Sequence, residues 1–217
     1  MLLNPYKKWT YSFKINSVII TFVKFLKIKL NLAMALLTVI MSFGFLYAKA
    51  DISKAFPDMS NVFEHVVFYN QDGELVNFKE HKDKVLLIFF GYTHCPDVCP
   101  TTVLDMARVL KGLGEYSENV LPVFISVDYL RDDFLKVRNY VDFFDKRIAA
   151  LASDKGNIDK LTQLFKTKYE LVEPDKKGFI VEHSSNIYIL DKKLQVKKII
   201  PNGIPSEEIT MLVKRYL

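Results

Sequence analysis

The two cysteines of the chain, Cys95 and Cys99, stand four residues apart in residues 91–100, whose sequence is GYTHCPDVCP. The sequence holds no other cysteine. Two thiolates in one turn of chain can hold a soft metal ion, or they can cycle between a dithiol and a disulfide. This segment therefore points to sulfur chemistry, with metal binding and redox cycling as the two alternatives.

The spacing of the cysteines favours a metal site over a structural disulfide. Side chains four residues apart share one helical face, with Cβ atoms about 5–6 Å apart, whereas a disulfide needs about 3.5–4.5 Å. A bridge that closes so short a loop adds little stability. A metal ion bonded at about 2.3 Å to each sulfur, as in zinc thiolate sites, fits more easily. The N-terminus of a helix at this point would also lower the pKa of the thiols.

Apolar runs and helical periodicity predict the elements that must position the cysteines. Strands are expected over residues 63–69, 74–78, 85–90, 120–127, 148–152, 179–190 and 194–200. Helices are expected over residues 98–113, 131–146, 154–169 and 206–217, the last of them capped by Ser206. This order of elements predicts an α/β domain with a mixed sheet flanked by helices.

His183 is the third candidate ligand, and the predicted topology is the reason. Functional groups collect at the carboxyl edge of parallel strands, where Cys95 and Cys99 follow one strand and Asp128 follows another. The strand after His183 is expected to be antiparallel, so that it begins at the same edge. Two thiolates and one imidazole form a soft, three-coordinate set that suits Cu(I), whereas structural zinc normally takes a fourth ligand.

The other polar side chains near the motif are expected to have structural roles. His65 and His81 are expected at the surface, and His94 is expected in the loop or at the start of the helix, pointing away from the sulfur atoms. Asp128 and Arg131 are expected to pair and to fix the loop after the second core strand.

The first 50 residues differ from the rest of the chain in charge. They contain seven lysines and no acidic residue, whereas residues 51–217 carry 23 basic and 25 acidic side chains, a formal charge of −2. The net charge of +5 for the whole chain therefore belongs to the leader, and residues 51–217 show no basic patch for nucleic acid. We expect residues 1–50 to be a leader and residues 51–217 to be the folded domain.

Residues 30–48 form a stretch of 19 residues without a charge. As a helix this stretch is about 28 Å long, close to the roughly 30 Å of bilayer hydrocarbon. Six of the seven lysines precede it, so the positive-inside rule exports residues 51–217. Residues 48–50 (AKA) have the form of a signal-peptidase site, so a membrane anchor and a cleaved signal are both open. The leader contains no arginine, which favours a bacterial inner membrane and periplasm over the mitochondrial intermembrane space.

The cysteine motif closely resembles that of the Sco/SenC proteins. The matching segments are residues 91–100, residues 124–128 (FISVD) and residues 182–184 (EHS) ahead of Tyr188. The resemblance runs from about Phe56 to the C-terminus. The family usually has Asp-Pro-x-Arg-Asp after the second core strand, whereas this chain has DYLRD. The missing proline changes the rigidity of that loop but touches no expected ligand.

The resemblance implies a thioredoxin-like fold, a membrane tether and copper binding through Cys95, Cys99 and His183. It implies Cu(I), with Cu(II) as a second oxidation state, and a metal carrier rather than an enzyme. The implied role is assembly of the dinuclear copper centre of cytochrome c oxidase, with subunit II of the oxidase as the copper acceptor.

The alternative function is a periplasmic thiol–disulfide oxidoreductase that reduces the cysteines of a partner protein, with Cys95 and Cys99 as its redox dithiol. Thioredoxin-type reductants usually carry CxxC and a cis-proline loop that faces it. This chain has CxxxC, its nearest preceding proline is Pro174, and His183 occupies the region where that proline would be expected. These differences place metal handling first, although both activities can coexist on the same thiols.

Overall fold

The computed structural model describes residues 23–39, 41, 55–59, 68–69, 75–76, 81, 83–172 and 180–217. The chain divides into two compact units, Met1–Ala50 and Asp51–Leu217. Helix α1 spans residues 23–39 of the first unit. Within the described ranges, no helix is both long and apolar enough to cross a membrane. The expected hydrophobic segment 30–48 extends past these ranges, and the AKA triplet and His65 lie outside them.

The second unit alternates strands and helices. Its strands are β1 (Phe68–Tyr69), β2 (Leu75–Val76), β3 (Val85–Gly91), β4 (Val120–Ser126), β5 (Ala149–Leu151), β6 (Tyr169–Val172), β7 (Ile180–His183), β8 (Ile187–Leu190) and β9 (Val196–Ile200). Its helices are α2 (Val98–Leu113), α3 (Phe134–Asp142), α4 (Lys155–Leu164) and α5 (Ser206–Val213), with 3-10 turns over Gly114–Asn119 and Lys214–Tyr216.

Five strands form one mixed sheet in the order β5-β4-β3-β8-β9. Strands β3, β4 and β5 run parallel, whereas β8 runs antiparallel to both β3 and β9. Strands β1 and β2 form a separate antiparallel pair, as do β6 and β7. The mixed α/β sheet expected from the sequence is therefore confirmed, although the outer parts and turn of the first predicted hairpin lie outside the described residues.

Strand β3 lies at the centre of the sheet, and all seven of its residues are buried. A strand covered on both faces is apolar throughout, which is why an unbroken apolar run marks it in the sequence. At the carboxyl end of this strand Gly91 pairs with Ser126, the last residue of β4. The loop that carries the cysteines and the loop that begins near Asp128 therefore start side by side.

The long strand predicted over residues 179–190 is wrong, because the structure divides it between two sheets. Strand β7 pairs with β6, whereas β8 joins the main sheet. At the break, the Ser184 N–H donates to the Lys168 carbonyl at 2.9 Å. This bond ties residues 183–184 to the β6–β7 ribbon before the chain re-enters the main sheet.

Three predicted helices are longer than the observed ones. Helix α3 begins only after Asp133, whose side chain accepts the Lys136 N–H at 2.9 Å, and it ends at Asp142. Helix α4 ends at Leu164, because Lys166 adopts a left-handed backbone with φ of 52°; Tyr169 therefore starts strand β6.

The predicted cap of the last helix is also wrong. Pro205 occupies the cap position of α5, where no side chain caps the helix, and Ser206 is the first helical residue. The Ser206 carbonyl instead accepts the Thr210 hydroxyl at 2.7 Å. A 3-10 turn then replaces the end of the predicted helix.

Candidate metal centre

The two cysteines lie on either side of the start of helix α2. Cys95 belongs to the loop after β3, and Cys99 is the second residue of the helix, after the cap residue Asp97. The Asp97 side chain makes no capping bond; instead the Cys99 N–H donates to the Cys95 sulfur at 3.4 Å. The Cys95 sulfur thus takes the place of a capping oxygen, where the positive end of the helix dipole favours a thiolate.

The imidazole of His183 reaches the same point from the end of β7. Its Nε2 lies 3.3 Å from the Cys99 sulfur, and its Nδ1 lies 3.2 Å from the Ser184 carbonyl oxygen. A carbonyl oxygen only accepts, so we assign the ring proton to Nδ1. The lone pair of Nε2 therefore faces the thiols, in the orientation that a metal-binding histidine needs.

Two aromatic rings fix the plane of that imidazole. The ring centroid of Phe89 lies 6.0 Å from that of His183, and the centroid of Tyr92 lies 5.7 Å away, both in edge-to-face geometry. Phe89 and Tyr92 are both buried. Such pairs prefer this arrangement, and each contributes about 0.5–1.5 kcal/mol beyond simple burial.

The Cys95 sulfur, the Cys99 sulfur and a His183 ring nitrogen lie within 4.8 Å of one another. Bonds of about 2.3 Å to sulfur and about 2.0 Å to nitrogen, as at zinc, fit one ion among such atoms without a large backbone movement. Cys99 is fully buried, Cys95 is 9% exposed and His183 is half-buried. The proximity expected from the topology is present, whereas the role of these residues as ligands stays a prediction.

The environment shifts the pKa values of the two thiols in opposite directions. The Cys99 thiol donates to Cys95, and two backbone N–H groups also face the Cys95 sulfur; together they outweigh the opposing effect of burial and lower the pKa of Cys95 to about 3. The same hydrogen bond raises the pKa of Cys99, and burial and the charge on Cys95 add to that increase. The pair therefore holds one thiolate, at Cys95, and one proton, on Cys99.

A second cluster of potential ligands consists of His94, Asp128 and Asp132, whose donor atoms also lie within 4.8 Å of one another. All four carboxylate oxygens of this cluster accept hydrogen bonds. Both oxygens of Asp128 accept from Arg131, one from its backbone N–H and one from its guanidinium. Those of Asp132 accept from the N–H and hydroxyl of Thr93 and from the hydroxyl of Ser126. The cluster is thus a hydrogen-bonded core for two loops rather than a place for a cation.

The expectations for the surrounding residues are met in part. The predicted pair of Asp128 and Arg131 is confirmed, and the exposed His94 directs its Nδ1 towards Thr93. Sequence reasoning missed Asp132, although it is the final residue of the DYLRD segment. It also assigned no role to the aromatic rings beside His183. Phe89 is one of several aromatic and aliphatic residues in a buried strand, and Tyr92 is a loop residue whose contact with the imidazole depends on the fold.

Three comparisons relate this chain to known proteins. The SCO2-like protein of Rickettsia felis is 34% identical over 124 residues, which are 56% of this chain and 60% of that protein. The structure of Bradyrhizobium japonicum ScoI with copper bound is 34% identical, with a TM-score of 0.65 over 70% of this chain and 97% of that one. BsSco, described as a Sco-family cytochrome c oxidase assembly protein with a disulfide switch, is 25% identical, with a TM-score of 0.55 over 69% of this chain and 90% of that one.

The structural likeness confirms the thioredoxin-like fold. The match to the Rickettsia protein spans less than two thirds of its length. The sequence model of the SCO1/SenC family, in contrast, matches residues 54–217, which include both cysteines, His183 and every strand of the sheet. The chain therefore belongs to the SCO1/SenC family.

Proposed function

We propose that this protein binds one copper ion through Cys95, Cys99 and His183 and acts in the assembly of cytochrome c oxidase. The observation that carries the proposal is the convergence of two sulfur atoms and one ring nitrogen within 4.8 Å. The copper bound by the Bradyrhizobium relative and the assembly role named for BsSco support it. A third thiol is absent from the sequence, which favours a three-coordinate Cu(I) site over structural zinc.

The protonation states prepare the site for a monovalent soft ion. Cys95 offers a thiolate at neutral pH, and His183 offers the lone pair of Nε2. Cys99 must give up its proton to become a ligand, so binding releases that proton. Two thiolates and Cu(I) leave one net negative charge, which the N-terminus of α2 stabilises.

The burial of the three groups suggests how copper leaves. Cys99 is fully buried, whereas Cys95 is 9% exposed and His183 is half-buried, so these two residues form the rim of the site. An acceptor thiolate therefore reaches the copper from the rim formed by Cys95 and His183 and replaces the ligands in turn. We propose the dinuclear copper site of oxidase subunit II as that acceptor.

The leader supports a location at a membrane. Seven lysines and an uncharged stretch over residues 30–48 precede the folded domain. We propose that residues 1–50 direct export and that residues 51–217 work in the bacterial periplasm, either anchored through residues 30–48 or released by cleavage after Ala50. Extraction of membranes at alkaline pH, with mass measurement of the N-terminus, distinguishes anchor from cleavage.

Copper titration of ligand variants tests the proposal. The reduced protein should bind one Cu(I) in competition with a chromophoric chelator, and Cys95→Ser, Cys99→Ser and His183→Ala should each weaken binding by more than the roughly 100-fold upper range of outer hydrogen-bond changes. Asp191→Asn is the control, because Asp191 lies in the turn between β8 and β9, at the end of the sheet away from the cysteines. Undiminished copper affinity in His183→Ala would show that His183 is not a ligand.

A second candidate function, reduction of a partner disulfide, is favoured by the asymmetry of the two thiols. The Cys95 thiolate would attack the partner disulfide and release one partner thiolate, forming a mixed disulfide. Cys99 would then lose its proton, attack the Cys95 sulfur and release the second thiolate. Two electrons pass to the partner, and a Cys95–Cys99 disulfide remains. Turnover with a model disulfide, together with no copper uptake, would place this function first.

A further inference from the structure

We propose that Asp132 is a positioning residue for the metal site: its buried carboxylate holds the cysteine loop so that Cys95 faces Cys99 and His183. This inference rests on the proposed function for its role in copper binding. It concerns a residue that contacts none of the three candidate ligands directly. The loop geometry itself does not depend on which chemistry the thiols perform.

The Asp132 carboxylate joins the ends of two core strands. One oxygen accepts the Thr93 hydroxyl at 2.6 Å. The other accepts the Thr93 N–H at 2.8 Å and the Ser126 hydroxyl at 2.6 Å. Since Ser126 ends β4 and Thr93 follows β3 by two residues, one side chain ties the cysteine loop to the rigid sheet edge.

The environment of Asp132 makes these bonds strong. Its side chain is fully buried, so no water competes for the oxygens, and hydrogen bonds to a carboxylate are stronger than those between neutral groups. Its backbone is also held, because the Asp132 N–H donates to the Asp128 carbonyl at 2.9 Å. The carboxylate is therefore fixed in position, and its hydrogen bonds restrain Thr93.

The restraint passes from Thr93 to Cys95 through a short turn. Cys95 lies two residues further on, and its N–H donates to the Tyr92 carbonyl at 3.3 Å. The Cys95 sulfur must meet the Cys99 N–H and leave room for an ion beside His183. Without the bonds to Asp132, residues 92–95 gain conformational freedom. Copper binding and disulfide formation, which both need the two sulfur atoms together, must then offset the entropy lost when these residues are ordered, so both become less favourable.

The test compares Asp132→Asn with a matched carboxylate far from the site. The amide oxygen of Asn can keep the bonds from the Thr93 N–H and the Ser126 hydroxyl, but the amide nitrogen reverses the bond to the Thr93 hydroxyl and the charge is lost, so the network is weakened. Asp191 is the control, because it accepts the N–H groups of Lys193 and Gln195, each at 3.0 Å. It lies in the β8–β9 turn at the other end of the sheet, opposite Val85 and about 20 Å along β3 from Gly91, where the cysteine loop begins.

Two readouts on the full chain are expected to move in Asp132→Asn and not in Asp191→Asn. Cu(I) affinity should fall about 10- to 100-fold. The equilibrium between the dithiol and the Cys95–Cys99 disulfide in glutathione buffer should shift about 10-fold towards the dithiol, because the effective concentration of one thiol at the other falls. Urea unfolding of both variants separates these effects from a loss of stability.

If Asp132→Asn does not fold, Thr93→Val replaces it, since this change removes one hydroxyl and keeps the backbone N–H. It should shift both readouts in the same direction, by about 3- to 10-fold. Wild-type protein that binds no copper would remove the proposed function, while the glutathione equilibrium would still decide the role of Asp132. Asp132 variants that match Asp191→Asn in both readouts would overturn the inference.

Discussion

Gly91 is the position at which one added methyl group should disturb the site most directly. A Cβ atom there would lie 2.8 Å from a ring carbon of Phe124, 2.9 Å from a ring carbon of Phe89 and 3.1 Å from the Cys99 sulfur. All three neighbours are fully buried. Ordinary carbon contacts are about 3.5–4.0 Å, so each neighbour must move by about 0.5–1 Å. Gly91 lies in an ordinary strand conformation, so the effect is one of packing and not of backbone strain.

The magnitude follows from that crowding. Overpacking of a core costs about 1–3 kcal/mol, which lowers the melting temperature of a domain of this size by about 2–12 °C. The displaced Cys99 sulfur should also lower the affinity for Cu(I) by about 10-fold, comparable to an outer hydrogen-bond change. Thermal unfolding by circular dichroism and Cu(I) competition measure the two effects on Gly91→Ala.

Gly156→Ala is the control for this experiment. Its added Cβ meets one atom within 4 Å, the Asp154 Oδ1 at 3.2 Å, and alanine in a helix gains up to about 1 kcal/mol over glycine. We expect unchanged copper affinity and a melting temperature near that of the wild type. A Gly91→Ala protein with wild-type stability and affinity would refute the reasoning, because it would show that the core beside Cys99 has room.

Three further predictions concern the neighbours of the site. The rate of alkylation of Cys95 in the reduced protein should change less than about threefold between pH 5 and 8, because the pKa of Cys95, about 3, lies below that range. The alkylation of an ordinary thiol slows about tenfold for each pH unit by which the pH falls below its pKa. Tyr92→Leu should weaken Cu(I) binding by about 2- to 10-fold through loss of the ring against His183, and Tyr92→Phe, which keeps the ring and removes only the hydroxyl beside Cys95, should weaken it less. Arg131→Ala should lower the free energy of unfolding by about 3 kcal/mol in urea, because the fully buried Asp128 loses its charged partner.

Each of these has a contradicting outcome. A Cys95 rate that falls with pH like that of a free thiol would mean that the sulfur is protonated in the native protein. Equal affinities for the two Tyr92 variants would show that the ring does not orient the imidazole. Unchanged stability of Arg131→Ala would mean that the Asp128 carboxylate does not depend on that guanidinium.

The parts of the fold that could be predicted are those with strong local signals. Strand β3 and helix α2 follow directly from an unbroken apolar run and from helical spacing of apolar residues, and the observed bounds of α2 match the prediction. The approach of His183 to the cysteines could also be predicted, because a strand that runs antiparallel to β3 begins at the edge of the sheet where β3 ends. These signals involve either neighbouring residues or a general rule of sheet topology.

The parts that could not be predicted depend on contacts between distant residues. The β6–β7 ribbon exists because residues 169–172 pair with residues 180–183, and apolar periodicity alone does not distinguish this from a helix end followed by one long strand. The polar residues 184–186 (SSN) were the available sign of a break. The hydrogen bonds of Asp132 to Thr93 join residues 39 positions apart, so only the folded sheet reveals them.

X-ray absorption at the copper edge of the Cu(I)-loaded protein tests the central claim most directly. We expect one copper ion with two sulfur neighbours at about 2.3 Å and one nitrogen neighbour at about 2.0 Å, and a loss of the nitrogen contribution in His183→Ala. A spectrum with a single sulfur neighbour, or with the same nitrogen contribution in His183→Ala, would contradict the claim.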